Sequence, residues 1–153
     1  MQHDLRRWRR LVETIESLTA RQLVQRFGGR VVEFRRLPAT AKQAILARAA
    51  EHLDPDTKSP RIDPKQRFGY VEIPMEALQQ AVLAAVQREG APFKTFEDYH
   101  RWYISHGIPS HIEVWPIELD MDDPDQIIDD GSHRFHSYVR SGVKVVPAIY
   151  RPS

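Results

Sequence analysis

The 153-residue chain contains no cysteine. That excludes a disulfide framework, a thiol nucleophile and any zinc site built on thiolates. It also lacks an apolar run near the roughly 20 residues needed to span a bilayer. Its arginine-rich start leads into an amphipathic pattern rather than an apolar stretch. No secretory signal is therefore expected, and a cytoplasmic location is. Charge of one sign is lacking too. The net is only +1, so the chain as a whole is no polycation. No internal repeat and no low-complexity tract occurs.

What is present suits a soluble globular protein. Hydrophobic residues make up 41% and charged residues 28%, and the length allows one domain with a real core. The charge is unevenly spread. Residues 1–36 hold nine arginines (Arg6, Arg7, Arg9, Arg10, Arg21, Arg26, Arg30, Arg35, Arg36) against four acids. Residues 118–130 hold seven acids and no base. Arg6, Arg7, Arg9 and Arg10 bracket Trp8, a combination able to grip a nucleic-acid backbone and stack a base. The same pattern suits a solvated helix whose arginine stems cover apolar surface.

Periodicity divides the chain. Trp8, Leu11, Val12, Ile15 and Leu18 recur at helical spacing. Thr19 with Gln22 predicts a capping box for a short helix stopped by Gly28-Gly29. Residues 30–34 read as a strand. Thr40 with Gln43 predicts a second capping box, for a helix with Ile45, Leu46, Ala49 and Leu53 on one face. Residues 54–66, with Pro55, Pro60 and Pro64, read as a loop between a helical N-terminal extension (1–53), packed on the main domain, and that domain itself (67–153). In the latter, Tyr70–Ile73 predicts a strand and Pro74 opens a helix ending at Gly90. Thr95 caps a helix carrying Phe96, Tyr99, Trp102 and Tyr103, more consistent with core than with a base-stacking platform. His111–Leu119 is strand-like but broken by Pro116. A strand over Gln126–Ile128, a turn at Gly131, a helix over 132–141 and a strand over Val143–Tyr150 complete the pattern. Alternating strands and helices predict an α/β (α+β) fold with a mixed sheet.

The chemistry is expected at Asp130-Gly131-Ser132-His133-Arg134. A glycine turn opens a helix there, and a hydroxyl, an imidazole and a guanidinium follow. Backbone N–H groups at a helix start attract anions, and an arginine fork grips phosphate with two donors. Around this run stand Trp115–Leu119, Ile127–Arg134 and Val143–Ile149, with Tyr70–Pro74 and its helix upstream. In this order the segments resemble the ParB/sulfiredoxin superfamily, over roughly residues 67–151. The resemblance implies a small nucleotide-binding domain in which Gly131, Ser132, His133 and Arg134 cradle the phosphates of ATP or CTP. Sulfiredoxins carry a cysteine at the second turn position. Ser132 stands there instead, which excludes their thiol chemistry. ParB proteins place a helix-turn-helix module after this domain. Only three residues follow Tyr150, so that module is not expected. A stand-alone domain with an N-terminal helical part resembles plasmid fertility-inhibition proteins of the oncogenic-suppression type. That implies ATP hydrolysis, DNA cleavage and a partner in a DNA-transfer apparatus.

Roles follow with alternatives open. Arg134 is expected to clamp phosphate, against a plain surface ion pair. His133 either donates to phosphate or moves a proton, or is simply a surface histidine. Ser132 is an N-cap or a phosphate ligand. Carboxylates beside phosphate need a cation between them, so Asp129 and Asp130 either hold Mg²⁺ or another hard cation, Asp130 foremost, or point away and cap the helix. Glu72, and Glu76 beside it, are candidates for a second acid at the pocket, with Glu72 as a catalytic carboxylate. His133 and His136 give only a weak zinc signal. Two other readings compete with the ATPase/nuclease. One is a non-catalytic DNA- or protein-binding module using the N-terminal arginines. The other is a small-molecule kinase acting on a serine-type hydroxyl, with Glu72 as base.

Overall fold

The computed structural model describes residues 18–51, 61–108 and 115–152. Arg6, Arg7, Arg9 and Arg10, the first predicted helix and Leu53 lie outside the described residues. The described elements run α1 (Ala20–Arg26), β1 (Arg30–Glu33), a 3₁₀ turn (Phe34–Arg36), α2 (Ala39–Glu51), β2 (Arg67–Pro74), α3 (Met75–Arg88), α4 (Phe96–Ser105), β3 (Ile117–Leu119), β4 (Ile128–Asp130), α5 (Ser132–Arg140) and β5 (Val145–Tyr150). This is an α/β domain around one mixed five-stranded sheet.

The strand order is β1-β2-β5-β3-β4. All neighbours are antiparallel except β3 and β5, which run parallel. Side chains alternate between the two faces of a strand, so register decides what each face carries. One rung reads Arg30–Tyr70–Ile149–Glu118–Asp130 across all five strands. Tyr70 and Ile149 pack with Leu37, Ala41 and Ile45, the buried face of α2 and its approach. The opposite face carries Val71, Ile73, Ile117, Val146 and Ala148. These pack with Leu23 of α1, Leu78 and Val82 of α3, and Phe135 of α5. Burying each such side chain contributes about 1.5–3 kcal/mol. Helices therefore cover both faces, α2 on one and α1, α3 and α5 on the other.

Local signals explain most boundaries. Thr19 Oγ1 accepts from the Gln22 backbone N–H, and Gln22 Oε1 accepts from the Thr19 N–H, completing the expected capping box. Thr95 caps α4 through the Asp98 N–H at 3.1 Å. The 75/78/82/85 spacing in α3 places Met75, Leu78, Val82 and Ala85 in the core, and Pro74 precedes its first turn as expected.

Two expectations need correction. α2 begins at Ala39, with the Lys42 N–H on the Pro38 carbonyl, so Thr40 and Gln43 lie inside the helix and cap nothing. Pro38 immediately precedes the first turn, so the helix starts two residues early. The strand after the acidic loop is Ile128–Asp130, two residues later than the apolar triplet Gln126–Ile128 suggested. Pairing with Glu118 and Leu119 draws both aspartates towards the strand. The segment up to Glu51 also supplies the edge strand β1, so the sheet extends past the proline-containing loop into the N-terminal part.

Candidate functional site

Gly131 sits at φ 102° and ψ 23°, the left-handed region that favours glycine, and is the N-cap of α5. Ser132 is thus the first helical residue and not the cap. No side chain caps this helix, and no acid occupies its first turn. The first three N–H groups of a helix lack intrahelical acceptors, so the α5 start suits an anion. A Cβ on Gly131 would lie 3.2 Å from Arg134 Nη1 and 3.3 Å from Ile117 Cα. Gly131→Ala is therefore expected to cost about 1–3 kcal/mol through forced backbone geometry and a displaced Arg134. A urea unfolding midpoint checks this; an unchanged midpoint would show the turn to be relaxed.

Arg134 is held from two sides. It donates through Nη1 to the Pro116 carbonyl, and its guanidinium carbon lies 5.9 Å from the Trp115 ring centroid. Tyr138 Oη donates to the neighbouring Trp115 carbonyl. A guanidinium carries five N–H donors. The Pro116 bond fixes the group while much of the fork stays open to a ligand.

Arg134 and Asp130 both line a cavity of about 510 Å³ between α2 and the β3–β4 end of the sheet. This is the size of an ordinary small-molecule site. Its apolar wall includes Ala44, Ile45, Ile62, Phe68 and Ile149. Its charged wall includes Arg48, Arg67, Arg134 and Arg151 with Glu51, Glu118 and Asp130. Arg48 of α2 pairs with Glu118 and lies 3.8 Å from Asp130. The Glu118 side chain is only 14% exposed, so this carboxylate is held by its partner rather than by water.

The other expected residues lie elsewhere. Ser132 lines a smaller cavity of about 210 Å³, together with Glu89, Tyr99, Asp125 and His136. His133 is exposed and its Nδ1 lies 3.1 Å from Tyr103 Oη. Glu72 is exposed on β2, accepts from Tyr70 Oη at 3.1 Å, and lines neither cavity. Glu76 and Asp129 are also exposed and line neither. The structure thus joins Arg134 to Asp130 and separates His133 and Glu72 from them. Glu72→Gln is accordingly expected to leave nucleotide affinity within about twofold, checked by calorimetry. A large loss would move the site along β2.

His136 is buried at 1% exposure. It stacks on Tyr103 with centroids 3.7 Å apart, and its Nδ1 lies 2.8 Å from His100 Nδ1. One of these nitrogens must donate and the other accept, so the contact cannot hold two protons. Burial first, then the charges of His100 and His133, hold the His136 pKa down to about 3. Burial and Arg140 also lower His100. His133 and His136 both meet Tyr103 of α4, one through its Nδ1 and the other by ring stacking. Among the described residues no group of three or more histidines or acids could hold a metal by itself.

Comparison with protein-family models, with curated proteins and with solved structures finds no match. Among the described residues, no helix is long and apolar enough to cross a membrane.

Arg48, Glu118, Arg67 and Arg151 were not expected at the site. Only Glu118 carried a signal, since it alternates with the apolar Ile117 and Leu119 in a strand.

Proposed function

We propose that this chain binds a nucleoside triphosphate, ATP or CTP, in the cavity between α2 and the β3–β4–α5 corner. One observation carries the reading: Arg134 is fixed by Pro116 and Trp115 beside an uncapped helix start, and faces a cavity of nucleotide size. The resemblance of the Gly-Ser-His-Arg turn to the ParB/sulfiredoxin superfamily supports the same placement. The phosphates lie against Arg134, the one residue of the turn that lines this cavity. The apolar wall of Ile45, Phe68 and Ile149 receives the base.

The cavity wall carries four arginines and three acids, too little positive charge for a triphosphate by itself. The nucleotide therefore enters with a divalent cation. Mg²⁺ is commonly held by one or two carboxylates plus substrate phosphates, and Glu118 and Asp130, paired across β3 and β4, supply two. Bound there, the cation would neutralise charge developing on the phosphates during hydrolysis. Arg134 contributes in the same sense, because phosphoryl transfer depends on positioning and charge neutralisation. His133 and Glu72 lie outside this cavity, so the chemistry rests on Arg134, Asp130 and Glu118. ATP hydrolysis in the cytoplasm is the activity this assembly favours. DNA cleavage, and partners in DNA or a transfer apparatus, follow from the family resemblance alone.

Calorimetric titration with ATP and with CTP, each with and without Mg²⁺, tests the proposal. Saturable binding that strengthens with Mg²⁺ is expected. No binding of either nucleotide would overturn it and favour a protein- or DNA-binding module.

A further inference from the structure

Arg48 occupies the position that the proposed cation needs. It reaches across the cavity from α2, the only helix on that face of the sheet among the described elements, and pairs with Glu118 while lying 3.8 Å from Asp130. Its Nη1 is buried against Glu118 without a well-formed hydrogen bond, and its side chain is 40% exposed along the cavity. Without this guanidinium, Glu118, nearly out of water, would lose its paired cation beside a second carboxylate. Burying an unpaired charge is strongly unfavourable, so Arg48 belongs there while the cavity holds no cation.

A metal–nucleotide complex reverses that balance. The cation satisfies the carboxylates and the phosphates bring new negative charge beside Arg48. Arginine matches phosphate as readily as carboxylate through the same planar fork. We infer that Arg48 is a two-position gate: it neutralises Glu118 and Asp130 in the nucleotide-free chain, and turns to the phosphates when the nucleotide arrives, ceding both carboxylates to the cation. The inference rests on the nucleotide reading above and specifies its regulation. Cation affinity then depends on nucleotide, and by linkage nucleotide affinity depends equally on cation. Because Arg48 belongs to α2, the exchange also draws that helix over the bound phosphates.

Mn²⁺ binding to the full chain, read by electron paramagnetic resonance, tests the gate. For the wild type, a saturating non-hydrolysable ATP analogue is expected to tighten Mn²⁺ binding on the order of tenfold or more. Arg48→Gln is expected to bind Mn²⁺ on the order of tenfold more tightly than wild type without nucleotide, and to lose most of the enhancement by the analogue. Adding Glu118→Gln to that variant should remove the gain. Equal Mn²⁺ affinity of wild type and a folded Arg48→Gln would overturn the inference. If circular dichroism shows the glutamine variant unfolded, Arg48→Lys replaces it. There, a weaker pairing predicts a smaller gain, and no gain overturns the gate. If wild type binds no nucleotide, the functional proposal fails by itself. The nucleotide-free Mn²⁺ comparison still decides whether Arg48 guards the carboxylates.

Discussion

Arg134→Ala is expected to weaken ATP or CTP binding roughly a hundredfold, about 2–3 kcal/mol, the upper range for hydrogen bonds to a charged group. The expectation follows from how the side chain is held. The Pro116 carbonyl and the Trp115 ring fix the guanidinium before any ligand arrives. Little side-chain entropy is then lost on binding, and removal of the group forfeits nearly its whole interaction. The same substitution leaves the carbonyl of buried Pro116 without its donor, which predicts a stability loss of about 1–3 kcal/mol. Thermal unfolding measures that separately from calorimetric affinity. Arg134→Lys separates charge from geometry. Lysine keeps the charge but cannot present a fork, so most of the affinity should still be lost. Affinity at the wild-type level in a folded alanine variant would remove Arg134 from the site.

Acid should destabilise this protein well above the pH at which carboxylates titrate. The ordinary histidine pKa is 6.5, and in the folded chain His136 sits at about 3. Between those values the unfolded chain binds a proton that the folded chain refuses. Stability is then complete above about pH 6.5 and falls as pH drops towards 3, by up to about 1.4 kcal/mol per unit for this one group. His100 shifts in the same direction and adds to the slope. Arg140 on α5 and the exposed His133 face the pair, while Glu89 and Asp125 line the small cavity beside His136. Protonating both rings would also break the 2.8 Å Nδ1–Nδ1 contact between α4 and α5, which holds one proton only. Urea midpoints should stay level from pH 8 to about pH 6.5 and fall from there to pH 4. In His136→Phe, whose ring can fill the stack between Phe96 and Tyr103, the slope should shrink markedly. A flat profile in the wild type would mean that His136 reaches water or a partner that tolerates its charge.

These two histidine and arginine sites show what a sequence can and cannot display. The start of α5 and its Gly131 turn were legible because glycine and helical periodicity are local signals. So were the Thr19 and Thr95 caps. Arg134 was legible as an anion-binding arginine beside a helix start. His136 was visible only as a neighbour of His133 at helical spacing. Its burial depends on α4, whose aromatic residues close over it from more than thirty positions away. Arg48 was invisible for the same reason. It meets Glu118 only because α2 lies across the sheet face on which Glu118, Ile149 and Tyr70 fall in register. Glu72 shows the converse. Its place at the first strand of the domain made it a candidate acid; it shares the sheet face of Tyr70 but bonds to Tyr70 further along β2 and does not line the Arg134 cavity. Residue type and local period locate a turn, while the partners of a charged side chain come from strand order and layer packing.

The most direct test of the account is to locate the bound nucleotide. A photoreactive ATP analogue, cross-linked in the presence of Mg²⁺ and mapped by mass spectrometry, should label peptides that carry the cavity wall, around Ala44–Ala49, Ile62–Phe68 or Ile149–Pro152. Excess ATP should suppress that labelling, and Arg134→Ala should nearly abolish it. Labelling confined to the α3–α4 side of the molecule, or labelling that ATP does not compete, would contradict the placement of the nucleotide beside Arg134.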